Sequence, residues 1–266
     1  MLVVDKSYAN AKSGSLAALA GQYTILVPSA FIFEVFTTSK DNLKRELRHF
    51  PNFRGVHLPE ILRTERRLGQ PATQGKFPLL GINPDVLNDS WSLPDRLERV
   101  ILEYRETALR PEIDFLKVVI AGKWIPGFTV TDYQAIRGSG DEFVALCGRL
   151  RDTQRIRAIA KELNFEHAER LTDQWLFFRY FQVNVLQALV LLRRYPNSKD
   201  DVSEMRLEHD SHDNEYLMLG LHARALATMD NSSKICKASM AFRFRLLEPN
   251  GLLIPNYPEA NPEVDT

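Results

Sequence analysis

Two short apolar runs near the start of the chain constrain the fold more than any other feature. Leu2-Val3-Val4 ends in Asp5, and Tyr23-Thr24-Ile25-Leu26-Val27 ends in Pro28. Between them Leu16-Ala17-Ala18-Leu19-Ala20 reads as helix, stopped by Gly21, and Ser29 is placed to cap a further helix, AFIFEVFTT. Strand, helix, strand, helix in quick succession is the rhythm of a parallel sheet with crossover helices. The rhythm returns late in the chain. A periodic apolar pattern over 213–222 leads into the strand-like run Ala225-Leu226-Ala227-Thr228, a helical pattern over 232–242 and a last strand candidate over 245–249.

The middle has a different texture. Residues 40–199 carry mostly amphipathic helical patterns. Ser92-Leu93-Pro94-Asp95 resembles a capping box opening a helix that runs to Leu109 and stops before Pro111, and 149–163 and 172–195 read as two more helices. Prolines and glycines make 55–90 loop-rich. The expected class is therefore α/β, a central parallel sheet flanked by helices in three layers, with a mostly helical insertion. Residues 1–39 and 200–250 form the core and 40–199 the insertion. A tail over 251–266, broken by Pro255, Pro258 and Pro262, wraps the surface or is disordered.

Charge and cysteine usage exclude several classes. Lys+Arg and Asp+Glu balance at 34 each in 266 residues, so overall charge points to neither nucleic acid nor membrane. Cys147 and Cys236 have no ligand spacing, which fits a reducing, cytoplasmic setting and argues against a zinc site. No signal peptide is visible, and the most apolar helical stretch is interrupted by Arg179, Gln182, Asn184 and Gln187, so a core helix is expected there and no membrane partner. GxxxxGK[ST], GxSxG and HExxH are absent.

Four acids remain to be explained. Asp5 closes the first strand candidate, Glu34 interrupts an otherwise apolar helix, Asp213 opens the helix before ALAT, and Asp230 follows that strand. Each alone has an ordinary use: a helix cap for Asp213, turn chemistry for Asp230. In an open parallel sheet, however, the crevice lies at the carboxyl ends of the strands, where all four can converge. Carboxylates packed together repel and take up protons unless a cation sits among them, and oxygen donors of this kind suit Mg²⁺ or Mn²⁺. His209 and His212, which flank Asp210, can ligate a metal or simply cap the helix.

LVVD, ILVPSAFIFEVF and HDNEYLMLGLHARALATMD, in that order and spacing, resemble PIN-domain ribonucleases. The resemblance implies a PIN-like, Rossmann-like core and a metal-dependent endonuclease, with Asp5, Glu34, Asp213 and Asp230 as catalytic, metal-binding acids. Thr228 and Ser7 support them, and Asp210 is the rival for the third acid. Asp213 is preferred because Tyr216, Leu217 and Leu221 then form one apolar face with the acid at its N-terminal end. The family's members are commonly compact; here 213 − 34 = 179 positions separate the second and third acids, room for an added helical subdomain. RNA is expected as substrate ahead of DNA, and a toxin or defence effector held by a protein regulator, or a homo-oligomer, is compatible with the pattern. An inactive PIN-like binding or regulatory module is the alternative, and a helical interaction protein is the third reading.

Local charge is uneven. Residues 40–70 carry eight bases against four acids, net +4, and 200–230 carry eight acids against two bases, net −6. Lys44, Arg45, Arg48, Arg66 and Arg67 are candidate phosphate-backbone contacts, although such a run is ordinarily a solvated helix face. Arg149, Arg151 and Arg155 form a second basic stretch. The aromatic run Trp175, Phe177, Phe178, Tyr180 and Phe181 can stack bases, but core packing is the expected use.

Overall fold

The computed structural model describes residues 1–11, 13–38, 42–48, 50, 52–72, 95–122, 124–196, 202–223, 225–228 and 245–247. Its centre is an all-parallel sheet of β1 (Leu2–Val4), β2 (Ile25–Pro28), β3 (Phe53–Val56), β4 (Ala225–Ala227) and β5 (Arg245–Leu247), in the order β3-β2-β1-β4-β5. The α/β class expected from the strand–helix rhythm is what the chain adopts. Every residue of β1, β2 and β4 is buried, which is why they read as continuous apolar runs rather than alternating ones. Arg54 is the exposed residue of the edge strand β3.

Between β1 and β2 lie α1 (Lys6–Ala11) and α2 (Ser13–Ala20); α3 (Ser29–Thr38) and α4 (Asn42–Leu47) lead on to β3. The helical block contains α5 (Leu58–Leu68), α6 (Asp95–Tyr104), α7 (Arg110–Gly122), α8 (Val130–Arg137), α9 (Gly140–Gly148), α10 (Thr153–Glu162) and α11 (Leu176–Arg194), and α12 (Glu204–Ala223) returns the chain to β4. The chain thus moves outward from β1 to β2 and β3, then comes back to the other side of β1. The switch in winding direction falls between β1 and β4, where an open parallel sheet has its crevice.

Five expectations need correction. Residues 55–90, expected to be loop-rich, contain the end of β3 and all of α5. The stretch assigned to the insertion contributes β3 to the sheet, because Phe53-Arg54-Gly55-Val56 pairs in register with β2. Arg54 and Gly55 interrupt its apolar run, so no continuous signal marked it. The helix over 95–109 does not end before Pro111: a π-helical turn, Arg105–Leu109, joins α6 to α7, and Pro111 is the second residue of α7. Proline lacks the N–H that a helix interior requires, and a widened turn just before it and a first-turn position both remove that need. Asp213 does not open its helix. α12 starts at Glu204, and its early turns are held by buried Leu207 and by Glu204, which pairs with Arg110 at 2.8 Å and Lys117 at 2.7 Å. Ser29 begins α3 but gives its hydroxyl to Glu215 instead of capping. The helical pattern over 232–242, Cys236 and the tail lie outside the described residues.

α12 runs close against β4. A Cβ placed on Gly220 would lie 2.9 Å from the Cβ of Leu226, a position too near its backbone to swing aside. Gly220→Ala gains helix propensity yet must push the helix off the sheet, and we expect a net loss of about 1–3 kcal/mol in chemical denaturation. An unchanged midpoint would show that the two elements are separable. Among the described residues no helix is long and apolar enough to cross a membrane. α11 is instead buried along most of its length, and Trp175, Phe178 and Phe181 pack in the core as expected.

Candidate functional site

Asp5 leaves β1 at its carboxyl end, and its N–H donates to the Ala227 carbonyl at 3.1 Å, the last rung between β1 and β4. The side chain then turns to α1. Oδ1 accepts from the Tyr8 N–H at 3.0 Å and from Ser7 Oγ at 2.5 Å, the arrangement of an N-cap. Oδ2 accepts from the Thr228 hydroxyl, just beyond β4, and Thr228 and Ser7 lie 3.4 Å apart. One carboxylate therefore ties together the ends of two central strands and the start of a helix. Burial pushes its pKa upward, although the hydroxyl and N–H donors oppose the shift.

Glu34 sits in the second turn of α3 and faces α12. The Tyr216 hydroxyl donates to Oε2 at 2.8 Å, and Lys6 Nζ donates to the Glu34 carbonyl at 3.4 Å. Burial raises the Glu34 carboxyl, and the Asp213 charge pushes the same way; Tyr216, Lys6 and His209 oppose. The Tyr216 phenol in turn is raised by burial and by the charges of Glu34 and Asp5. The fold thus holds Asp5, Ser7 and Thr228 together at the switch point between β1 and β4, and sets Glu34 and Asp213 near each other on α3 and α12, with Tyr216 feeling the charges of both Asp5 and Glu34. Asp230 lies outside the described residues.

Asp213 is central rather than terminal in α12, which puts His209 and Asp210 one turn before it. Donor atoms of His209, Asp210 and Asp213 lie within 4.8 Å of one another, with His209 Nδ1 4.0 Å from Asp213 Oδ2. Asp210 Oδ2 also accepts from Gln187 Nε2 at 2.8 Å, so Asp210 helps join α12 to α11. The sequence pattern placed these residues as alternatives at a helix start; the helix makes them neighbours on successive turns. As a donor set, carboxylates with an imidazole at the rim fit a hard divalent cation.

Glu215, one residue before Tyr216, is a buried acid that sequence reasoning did not single out. It is 2% exposed. Oε1 accepts from Ser29 Oγ at 2.8 Å and from the Ala30 N–H at 3.1 Å, while Oε2 accepts from the Tyr104 hydroxyl. His57 Nδ1 lies 3.4 Å from Ser29 Oγ, so the Nδ1–H tautomer donates to serine while serine donates to glutamate. That direction of bonding is the reverse of a hydrolytic Ser–His pair, in which histidine accepts the serine proton. The warning sign in the sequence is the one that marked Glu34: an acid set into an apolar helical face.

The basic candidates divide. Arg45 and Arg48 are exposed at α4, and Arg45 pairs with Glu46 at 3.2 Å. Arg66 and Arg67 are exposed on α5, Arg66 lying 3.8 Å from Glu166. The Lys44 side chain lies outside the described residues. Arg149 and Arg155 serve the fold, holding the buried carboxylate of Asp132 at 3.2 and 2.8 Å. Comparison of this chain with protein-family models, with curated proteins and with solved structures found no match.

Proposed function

We propose that the chain is a metal-dependent nuclease acting on RNA, with Asp5, Glu34 and Asp213 as its metal-holding acids and Asp230 as a fourth. The observation that carries this reading is Asp5 at the carboxyl end of β1, where the sheet changes winding direction, with Glu34 and Asp213 near each other on α3 and α12 and with Tyr216 feeling the charges of both Asp5 and Glu34. Lys6 gives its ammonium to the Glu34 carbonyl oxygen, and so it bonds to the backbone there instead of to the carboxylate. Asp5, raised by burial, and Glu34, raised by burial and by the Asp213 charge, gain from a divalent cation, which would neutralise phosphodiester charge and activate a water for in-line displacement. The chain's own groups set the geometry: Thr228 and Ser7 fix the rotamer of Asp5, and Tyr216 fixes that of Glu34. Exposed arginines on α4 and α5 suit a phosphate backbone, and the scarcity of cysteine suits a cytoplasmic protein. A toxin or defence role under a protein regulator fits the same chemistry.

Labelled single-stranded RNA incubated with Mn²⁺ should be cut, EDTA should stop the cutting, and Asp5→Asn should slow it by about a hundredfold or more. Asparagine is as good an N-cap as aspartate, so α1 should keep its start and circular dichroism should match wild type. Equal rates for the two proteins would sink the proposal.

A second reading has its own support. Both oxygens of Asp5 and one of Glu34 already accept from donors of the chain, as expected of acids kept for structure in a binding module. That reading predicts no calorimetric heat with Mn²⁺ and no cleavage by either protein.

A further inference from the structure

A cavity of about 460 Å³ opens between α5, α7, α11 and α12, within the size range of small-molecule sites. Its walls are apolar and aromatic, with Leu58, Phe115, Phe177 and Phe181 among them. Its polar groups are unevenly placed. Arg63 and Arg66 line it from the exposed face of α5, each more than half exposed. Asn184 and Ser211, 3% and 1% exposed, line it from α11 and α12.

Those two buried residues are the informative ones. Asn184 spends its amide N–H₂ on the Tyr180 carbonyl at 3.0 Å, leaving Oδ1 with no hydrogen bond, and Ser211 Oγ has none either. Leaving a buried polar atom unpaired costs about 1–3 kcal/mol, so a purely apolar occupant, a fatty chain for instance, does not suit the cavity. Asn184 Oδ1 can only accept, and Glu112 and Glu215 line the same cavity. The interior therefore asks for a ligand with N–H donors on a flat, largely apolar body. The arginines ask for an anionic group at the other end, which a guanidinium pair binds in a bidentate manner.

We propose that this cavity binds a nucleoside monophosphate whose base carries an exocyclic amine, the base among the aromatic walls with its amine at Asn184 and Ser211, the phosphate at Arg63 and Arg66. The proposal stands apart from the nuclease reading, since none of the acids at the switch point takes part.

Calorimetric titration of the full chain with adenosine monophosphate, in EDTA, tests it. Saturable one-to-one binding is expected, at least about tenfold weaker for adenosine and for inosine monophosphate, which lack the phosphate and the amine respectively. The double variant Arg63→Ala/Arg66→Ala, altered only at exposed positions, should lose at least about tenfold in affinity, as should Asn184→Leu. Asp5→Asn should bind like wild type, which separates this site from the nuclease proposal. No saturable binding up to about 10 mM would overturn the inference, as would undiminished affinity in the arginine double variant. Equal binding of inosine monophosphate would overturn the assignment of the amine.

Discussion

Glu215→Leu is expected to destabilise the fold by about 3–5 kcal/mol at pH 7, which places it among the severe single substitutions. The carboxylate is the common acceptor for Ser29 Oγ, the Ala30 N–H and the Tyr104 hydroxyl, groups from two other helices packed against α12. Leucine fills comparable volume, so the loss comes from three buried donors left without an acceptor rather than from a cavity. Glu215→Gln keeps one acceptor oxygen for Ser29 and Ala30, and it should cost less than half as much. Urea denaturation of both variants checks this. A leucine variant within about 1 kcal/mol of wild type would show that the network is relieved by water or by rearrangement. The same residue gives stability a pH slope. Burial raises the Glu215 carboxyl from 4.5 to about 6, so the folded state holds the proton more tightly than the unfolded chain. Its stabilising contribution is complete below pH 4.5 and is lost as pH rises to about 6, on the order of 2 kcal/mol.

The parts of this fold that were legible in the sequence are those where one physical requirement acts on consecutive residues. Strands buried on both faces need unbroken apolar runs, and LVV, ILV and ALA are such runs. Strand β3 was missed because Arg54 and Gly55 interrupt its apolar run, which its edge position allows. The start of α12 was misplaced because ordinary helix formers from Glu204 onward are anchored by distant partners, Arg110 and Lys117, which no local pattern reveals. Asp5 and Glu34 could be picked out because an acid beside an apolar run needs a reason. Glu215 has the same signature, but its partners lie 111 to 186 positions away in sequence and only the folded chain brings them together. The cavity is the extreme case: four helices from distant parts of the chain build it, and Asn184 and Ser211 look like ordinary polar positions until their surroundings are known.

Acid should unfold this protein through its buried imidazoles, and His212→Phe should blunt the effect. The His212 ring is 6% exposed, tilted against Phe33 at 5.3 Å between centroids and stacked on Tyr104 at 6.1 Å. Burial lowers its pKa from 6.5 to about 4, with the positive charges of His209 and Lys6 acting in the same direction. A base held neutral in the fold contributes stability that is complete above pH 6.5 and lost as pH falls to about 4, when the unfolded chain binds a proton that the folded one refuses. The loss amounts to about 3 kcal/mol, and Glu215, gaining over much of the same range, offsets part of it. Phenylalanine keeps a flat ring between Phe33 and Tyr104, removes a buried Nδ1 that has no hydrogen bond, and cannot titrate. Denaturant midpoints of the two proteins should therefore agree within about 1 kcal/mol at pH 7.5, with the variant ahead by about 2–3 kcal/mol at pH 4.5. Every other titrating group is common to both proteins and cancels in the difference, so a gap that stays constant with pH would show that His212 takes up its proton in the folded state.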